Sequence, residues 1–426
     1  MLLLLACAAP ERPAVADEGS PGTPKNLLTI GLDTLRRDAL SRYGGAGDAP
    51  FLDGLLDESF ALDAQRSCSN WTFPAMLCVW REVSGLDAGY VPDIRDPDAV
   101  SAPDGDTLPQ KLREAGFTTI NVTANAWLTD ERNGAIGFDV VHRPDVRDAG
   151  SLLALARAEV EALDEGTRWY AHAHVIEPHH PFSPPEEYLG ALEGLDPIAW
   201  DLDDKEQYDD VAAAWPRLTE EERALVQAHL YARYAGEVAW LDDALAASFA
   251  EWDDAGLLDD TLVVFFSDHG EQLFEHGDLT HAYGFHAEEN DAVTFFWQKG
   301  VAAGSWTEPT TLTDLPPTLL DRLGLPVDAD ASGHVVGTAP SDRALLFSEV
   351  GLEGPRQAVV ADGWKLTYDW YTGAKTLHDL DADPAEAVDL YDPEHARAVA
   401  LWEILMPEVD RFGALLPGDT PVDAGP

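Results

Sequence analysis

The chain has 426 residues, 45% of them hydrophobic, which is enough for a large buried core and, by length, for roughly two or three domains. Its 78 acidic and 27 basic residues give a formal net charge of −51. A surface this acidic repels other polyanions, which argues against a nucleic-acid partner.

The first 23 residues have the composition of a leader followed by a linker. No stretch of the chain is apolar for long enough to predict a membrane-spanning helix, but residues 4–7, Leu-Leu-Ala-Cys, resemble a bacterial lipobox, whose cysteine is lipidated after signal cleavage. The apolar part is short and no basic segment precedes it, so a chance match is the alternative. We expect an exported protein of the bacterial cell envelope or periplasm, whose membrane contact is a lipid anchor on Cys7.

Two further cysteines, Cys68 and Cys78, lie in the first quarter of the chain. In an exported protein they can be oxidised to a disulfide. Two small buried hydrophobic side chains fit the sequence equally well.

The first predicted element is a buried strand over residues 26–32, an apolar run that ends at Asp33. In open α/β sheets, ligands bind outside the carboxyl ends of such strands. Apolar periodicity and glycine stops then predict a helix over residues 108–115, a strand over 117–122, a helix over 148–164 and a strand over 169–176.

The second half of the chain continues the alternation. Residues 186–222 are acidic and irregular, which indicates a surface insertion. Residues 221–249 have the apolar spacing of a long helix, and residues 261–266 predict a strand that ends just before Asp268 and His269. The alternation predicts an α/β fold with a mostly parallel sheet. Beyond residue 326 a smaller unit is predicted, with strands over 344–348, 358–361 and 364–368 and a helix over 394–405.

Polar residues follow two of these predicted core strands. Asp33, Asp268 and His269 offer the oxygen and nitrogen ligands that bind divalent cations. Each one alone fits an ordinary turn or helix cap. Together, at the ends of two core strands, they predict a metal site.

Several segments, in order, resemble the sulfatase family of the alkaline phosphatase superfamily. Residues 26–40 and 234–271 are similar to the family's two metal-bearing segments, and residues 174–185, 312–320, 363–366 and 377–386 are similar to its other landmarks. The resemblance implies an alkaline-phosphatase-like fold, a mixed, mostly parallel sheet flanked by helices. It implies a metal-binding catalytic domain over residues 24–330 and a smaller C-terminal α+β subdomain over residues 331–426.

The same resemblance places Thr72 at the position of the nucleophile. Sulfatases carry Cys or Ser in a Cys-x-Pro-Ser-Arg pattern that is oxidised to formylglycine, whereas here Thr72 is followed by Phe-Pro-Ala-Met. Oxidation of a threonine would give a ketone, so no formylglycine is expected. Thr72 is expected to act as a metal-activated alkoxide, as threonine does in phosphodiesterase and phosphoethanolamine-transfer relatives.

Further roles follow from the resemblance. His179 is expected to contact the leaving ester oxygen, as a general acid or as a binding residue, and His281 to face the sulfuryl or phosphoryl oxygens. Arg36 is expected either to orient the nucleophile loop or to bridge to an acidic residue. His174 and Asn125 are predicted substrate contacts, with a structural histidine and an ordinary turn residue as the alternatives.

The implied metal ligands are Asp33, Thr72, Asp268 and His269. Calcium is the expected ion, and Mg²⁺, Mn²⁺ or Zn²⁺ are the alternatives. Whether one ion or two are bound stays open, with Glu177 as the candidate ligand of a second ion.

We therefore expect a metal-dependent hydrolase of sulfate or phosphate esters, whose partner is an anionic ester such as a sulfated or phosphorylated saccharide or small molecule. One alternative is a lipoprotein that keeps the fold to bind a glycan or a partner. It is motivated by Thr72, by residues 75–76 and by Ala292, which all depart from the family pattern. The other alternative is a transferase of phosphorylated head groups.

Overall fold

The structure, a computed structural model, describes residues 22–416 apart from residues 82–83, 85, 88, 99, 101–105, 147, 330 and 339–341. The predicted lipidation site Cys7 and nearly all of the predicted leader lie outside the described residues. Among the helices of the described part, none combines the length and the apolar character needed to cross a membrane.

The described residues fold around one mixed eight-stranded sheet and one separate four-stranded sheet. The strands are, in chain order, β1 (Asn26–Leu32), β2 (Phe60–Leu62), β3 (Gln65–Arg66), β4 (Phe117–Thr123), β5 (Val140–His142), β6 (Arg168–Val175), β7 (Thr261–Ser267), β8 (Gln272–Leu273), β9 (Leu279–Thr280), β10 (Thr294–Trp297), β11 (Gly304–Trp306), β12 (Thr310–Thr311), β13 (Leu345–Gly351), β14 (Gly354–Ala361), β15 (Trp364–Asp369) and β16 (Lys375–Asp379).

The large sheet has the order β11-β2-β10-β7-β1-β6-β4-β5. Its five strands from β7 to β5 run parallel to one another, and β10 is antiparallel to β7 and β2. Both faces are covered, since Val263 and Phe265 of β7 pack in one buried cluster while Val264 and Phe266 pack in another. The predicted α/β fold with a mostly parallel sheet is confirmed.

Helices cover the two faces of this sheet. They are α1 (Pro50–Asp57), α2 (Thr72–Arg81), α3 (Leu108–Glu114), α4 (Ala149–Glu161), α5 (Glu206–Ala214), α6 (Glu220–Asp254), α7 (Ala287–Asn290), α8 (Leu315–Arg322) and α9 (Ala396–Gly413).

The prediction of an irregular insertion over residues 186–222 is wrong in part. The helix α5 lies within it, and its Tyr208 and Val211, three residues apart on one helix face, are buried in the core. The acidic side chains between them hid this apolar face in the sequence. The long helix α6 follows, and it begins with a capping box in which the Thr219 side chain accepts a hydrogen bond from the Glu222 N–H.

The four-stranded sheet forms the smaller C-terminal unit. The strands β13 to β16 pair antiparallel in sequence order, and α9 packs against β14 and β15. Strands and helix are each longer than the sequence pattern predicted, because the turns between the strands are tight and α9 continues through Pro407. The unit begins after the predicted boundary at residue 330, and that boundary stays a prediction.

A buried ion pair joins the two units. Lys365 of β15 donates to the Glu386 carboxylate at 2.6 Å and to the Phe285 carbonyl, and both charged side chains are only 1% exposed. The same carboxylate accepts the N–H of Ala287 at 2.9 Å. Burial alone would raise the pKa of Glu386, but the Lys365 ammonium and His286 hold it well below its usual range. The pair therefore fastens the small sheet to the segment that leads into α7.

Substitution Lys365→Met should leave the Glu386 charge buried and unpaired, so we expect the free energy of unfolding to fall by about 3–5 kcal/mol. Urea denaturation of the two proteins measures this loss. The matched control is Lys299→Met, which removes an exposed lysine paired with Asp253 and Asp259 and should leave the free energy of unfolding nearly unchanged. Equal losses in the two variants would contradict a structural role for the buried pair.

Candidate metal and catalytic site

The site lies where the parallel strands end, and its first part is the turn after β1. β1 pairs in parallel with both β6 and β7, with Leu32 opposite Val175 and Ser267, so Asp33 and Asp268 leave the sheet side by side. The next residue, Thr34, has a φ of 58°, in the left-handed region that a β-branched residue rarely adopts. Its N–H donates to Asp268 at 3.2 Å, and its carbonyl accepts from the Tyr234 hydroxyl at 3.0 Å. These bonds hold the strained turn.

Two carboxylates and a histidine form the deepest part of the site. One ligand atom each of Asp33, His174 and Asp268 lies within 4.8 Å of the other two, and all three side chains are fully buried. His174 Nε2 is 3.4 Å from Asp33 Oδ2 and 3.8 Å from Asp268 Oδ2. A Cβ at Gly31 would lie 2.5 Å from the His174 ring, so this strand position requires glycine.

The donor set fits a divalent cation. Asp268 Oδ2 and His174 Nε2 are buried and have no hydrogen-bond partner among the residues that the structure describes. Unpaired buried polar atoms are costly, and carboxylate oxygens with an imidazole nitrogen are ordinary ligands of divalent metals. Asp33, His174 and Asp268 thus form a candidate metal site.

The two carboxylates titrate differently. Burial alone would raise the pKa of Asp33, but His179 and His174 hold it below its usual range. Burial raises the pKa of Asp268, and the negative charge of Asp33 adds to this effect. Two carboxyl groups that share a buried space resist double ionisation unless positive charge lies close by.

Thr72 lies beside this cluster as the first residue of α2. Its hydroxyl oxygen is 3.5 Å from Asp33 Oδ1 and 3.4 Å from His269 Nε2. The Asn125 side-chain amide donates to both, at 3.1 Å to the Thr72 oxygen and 2.8 Å to Asp33. His269 directs Nδ1 to the Gly270 carbonyl at 2.9 Å, which leaves Nε2 facing Thr72. The positive end of the helix favours negative charge at this oxygen.

The segment before Thr72 is held from two directions. Cys68 and Cys78 form a disulfide, which settles the alternative that the sequence left open. From β13 the carboxylate of Glu349, buried at 1% exposure, accepts the Trp71 indole N–H at 2.9 Å and the Ser69 hydroxyl. Burial raises the pKa of Glu349 to about 7. A residue of the C-terminal unit therefore positions the loop that leads into Thr72.

Three half-buried histidines lie at the outer side of the cluster. His179, His180 and His281 each offer a ligand nitrogen within 4.8 Å of the others. Beneath them the fully buried Glu271 accepts from His281 Nδ1 at 2.8 Å and faces His180 Nδ1 at 3.4 Å. Burial alone would raise the pKa of Glu271, but His281 and His180 hold it well below its usual range. Glu271 is therefore an ionised carboxylate.

The structure brings together most of the residues that the sequence predicted, and for three of them its contacts favour one of the two alternatives. Arg36 binds Asp38, Glu275 and the Glu271 carbonyl, which fits the alternative that it bridges acidic residues. His174, predicted to contact substrate, is fully buried behind the carboxylates.

The third of these residues is Asn125, for which a substrate contact and an ordinary turn residue were the alternatives. Its side-chain amide donates to Asp33 and Thr72, so it holds the Thr72 side chain. Glu177, the candidate ligand of a second ion, accepts from the Ala149 N–H at the start of α4 at 3.2 Å, and burial raises its pKa to about 7. It caps that helix.

Sequence reasoning did not single out His180, Glu271 or Glu349. His180 and Glu271 each adjoin a recognised motif, in the His-His pair and in the Asp-His-Gly-Glu run. The signal for Glu349 is weaker: it is the one acidic residue in β13, a strand whose other residues are mostly apolar.

Comparison with known proteins shows which family the chain belongs to and which structures share its fold. The family model described as Sulfatase matches residues 25–325. The chain belongs to the sulfatase family. It is 27% identical over 166 residues to a choline-sulfatase of Rhizobium meliloti, a match that covers 37% of this chain and 32% of that protein. It is 31% identical over 194 residues to the multifunctional alkaline phosphatase superfamily protein PehA of Trinickia caryophylli, covering 39% and 38%. Each match thus spans about a third of the relative's length.

Solved structures agree on the fold over nearly the whole of this sulfatase-family chain. A phosphonate monoester hydrolase from Silicibacter pomeroyi superposes with a TM-score of 0.72 at 17% identity, covering 92% of this chain and 96% of that one. BT4656, solved with D-glucosamine-2-N,6-O-disulfate as its substrate, gives 0.72 at 17% identity over 94% and 99%. The predicted alkaline-phosphatase-like architecture is confirmed.

Substitution Asp33→Asn should weaken Ca²⁺ binding by about 100-fold or more, because it removes an anionic oxygen ligand from a buried site. Isothermal titration calorimetry with Ca²⁺ measures this change. The matched control, Asp260→Asn, lies just before β7 at the opposite end of the same sheet and pairs with Lys25, so its Ca²⁺ affinity should equal that of the wild type. Unchanged affinity in Asp33→Asn would place the ion elsewhere.

Proposed function

We propose that the chain is a metal-dependent hydrolase of phosphate or sulfate esters with Thr72 as its nucleophile. The observation that carries this proposal is the position of the Thr72 hydroxyl at the start of α2, within 3.5 Å of both Asp33 and His269. A divalent cation held by Asp33 and Asp268, with His174 and His269 as its candidate nitrogen ligands and Thr72 beside it, would lower the pKa of the hydroxyl and offset negative charge on the ester.

The chain's own residues supply the remaining steps. The amide of Asn125 fixes the rotamer of Thr72, so that its oxygen points at an ester bound between Thr72 and the histidines. The Thr72 oxygen attacks the phosphorus or sulfur, and the bond to the leaving oxygen breaks. His179 donates a proton to that oxygen, and His281, oriented by Glu271, contacts the other oxygens. Water then cleaves the threonine ester and frees the anion.

The nucleophile favours phosphate over sulfate esters. A phosphothreonine can be hydrolysed by in-line attack of water. A sulfothreonine lacks the exit that the second hydroxyl of hydrated formylglycine gives to sulfatases, and Ala75 and Met76 replace the Ser-Arg pair of the family pattern. The names of the relatives include both a sulfatase and a phosphonate monoester hydrolase, which supports an anionic ester as the substrate.

Substitution Thr72→Ala should lower kcat by about 10³-fold or more, since the attacking oxygen is lost, whereas Thr72→Ser keeps it and should retain most of the rate. Turnover of aryl phosphate, aryl phosphodiester and aryl sulfate measures the effect. Mass spectrometry after an acid quench should find phosphate on the peptide that contains Thr72.

Substitution of Thr372, an exposed turn residue, to alanine is the control. Undiminished turnover in Thr72→Ala would contradict the proposed nucleophile. The alternative, a lipoprotein that only binds a glycan, would be favoured by two results together. Metal-loaded wild type would turn over none of these esters, and the Thr72→Ala variant would bind sulfated glycans as tightly as the wild type does.

Substitution Glu349→Ala should lower kcat by about 10- to 100-fold with little change in KM, because the loop that carries Thr72 loses its alignment while the substrate contacts remain. Glu349→Gln keeps one acceptor oxygen, so its kcat should lie between those of Glu349→Ala and the wild type. Glu353→Ala, at the exposed tip of the same hairpin, is the control. A lowered melting temperature with unchanged kcat in Glu349→Ala would show a role in stability alone.

A further inference from the structure

Three histidines cluster at the outer side of the candidate site. His179, His180 and His281 are half-buried, and their ring centroids are 4.3 Å (His179–His180), 5.0 Å (His179–His281) and 5.4 Å (His180–His281) apart. One nitrogen of each ring lies within 4.8 Å of the others. Three neighbouring imidazole nitrogens are the donor set of a tri-histidine metal site.

The hydrogen-bond partners of the three rings also favour metal binding. The Nδ1 of His179 donates to the His180 carbonyl, and the Nδ1 atoms of His180 and His281 face the two oxygens of Glu271. A carboxylate or carbonyl can only accept these bonds, so each Nδ1 carries the hydrogen and each Nε2 keeps its lone pair. Ligating histidines in proteins are oriented in this way by a carboxylate or a backbone carbonyl.

We propose that His179, His180 and His281 bind a second metal ion, with Glu271 as the carboxylate that orients two of the rings. Nitrogen ligands select a borderline transition metal such as Zn²⁺ or Co²⁺ over Ca²⁺ or Mg²⁺, which prefer oxygen. The two metal positions of the chain thus differ in their chemistry, carboxylate-rich at Asp33 and nitrogen-rich here.

The tri-histidine site borders the first one on its solvent side. The rings of His281 and His269 have centroids 4.6 Å apart, and the side chains of His180 and His281 are 12% and 11% exposed, whereas the ligands of the first site are fully buried. Three protein ligands leave a coordination position open toward solvent. If the proposed hydrolysis is correct, an ion bound here would take the place of the His179 proton at the leaving oxygen, because a metal-free ring offers an Nε2–H only when it is protonated. Binding itself does not depend on that activity.

The test counts metal ions on the full chain. Protein stripped with a chelator is dialysed against Zn²⁺ at pH 7.5, and bound zinc is measured by mass spectrometry of the metal. We expect two Zn²⁺ per wild-type chain, one in Asp33→Asn, and one in His180→Ala. The control His142→Ala removes a partly exposed histidine that pairs with Glu159 and should bind two. A zinc content that is the same in His180→Ala as in the wild type would overturn the proposal.

A second variant covers the case in which His180→Ala does not fold. His180→Cys keeps a metal-binding atom, so it should bind two ions and, with Co²⁺, gain a thiolate-to-cobalt charge-transfer band. Absence of that band from the folded variant would contradict the site. Glu271→Gln should lower the affinity for the second ion by about 10- to 100-fold and leave the affinity for the first ion unchanged.

The same measurements separate this inference from the proposed function. A chain that binds two Zn²⁺ but hydrolyses no ester would overturn the hydrolase and leave the tri-histidine site standing. A chain that hydrolyses esters with a single ion bound, and keeps full activity in His180→Ala, would overturn the site and leave the hydrolase standing.

Discussion

Hydrogen bonding of β1 between two parallel neighbours is the constraint that builds the site. The register that sets Leu32 opposite Val175 and Ser267 brings Asp33 next to Asp268 without any contribution from their side chains. Buried carboxylates so close together are unfavourable in isolation. The sheet can hold them there because both of its faces are packed, which leaves the strands no room to shift.

The position of the proposed nucleophile, Thr72, depends on a different part of the molecule. Thr72 sits on α2, but the loop before it is held by Glu349 of β13, and the small sheet that carries Glu349 is itself fastened by Lys365 and Glu386. The four-stranded sheet therefore has a part in the site although it contributes none of the groups around the cluster. Its buried carboxylate is stable there because two donors and the Val350 N–H satisfy its oxygens.

The acidity of the chain is compatible with the proposed anionic substrate, because the surface charges and the charges of the site act at different ranges. With a Debye length of about 8 Å at physiological salt, most of the 78 acidic groups are screened from the site. Within it, five histidines surround the two aspartates and Glu271, and these local charges determine what binds. The candidate cation sites would add positive charge where the ester meets the protein.

The amino-acid sequence was sufficient to define the core strands of the sheet and the family. Periodicity located β1, β4, β6 and β7 to within a residue or two, since buried strands are apolar throughout. Motif order placed Asp33, Thr72, Asp268 and His269 in one site. The roles of the neighbouring residues required the folded chain, because hydrogen bonds between side chains distant in sequence leave no periodic signal. Thus Asn125 holds Thr72, Arg36 bridges acidic residues, and Glu349 binds Trp71, 278 residues earlier in the chain, in the loop before Thr72.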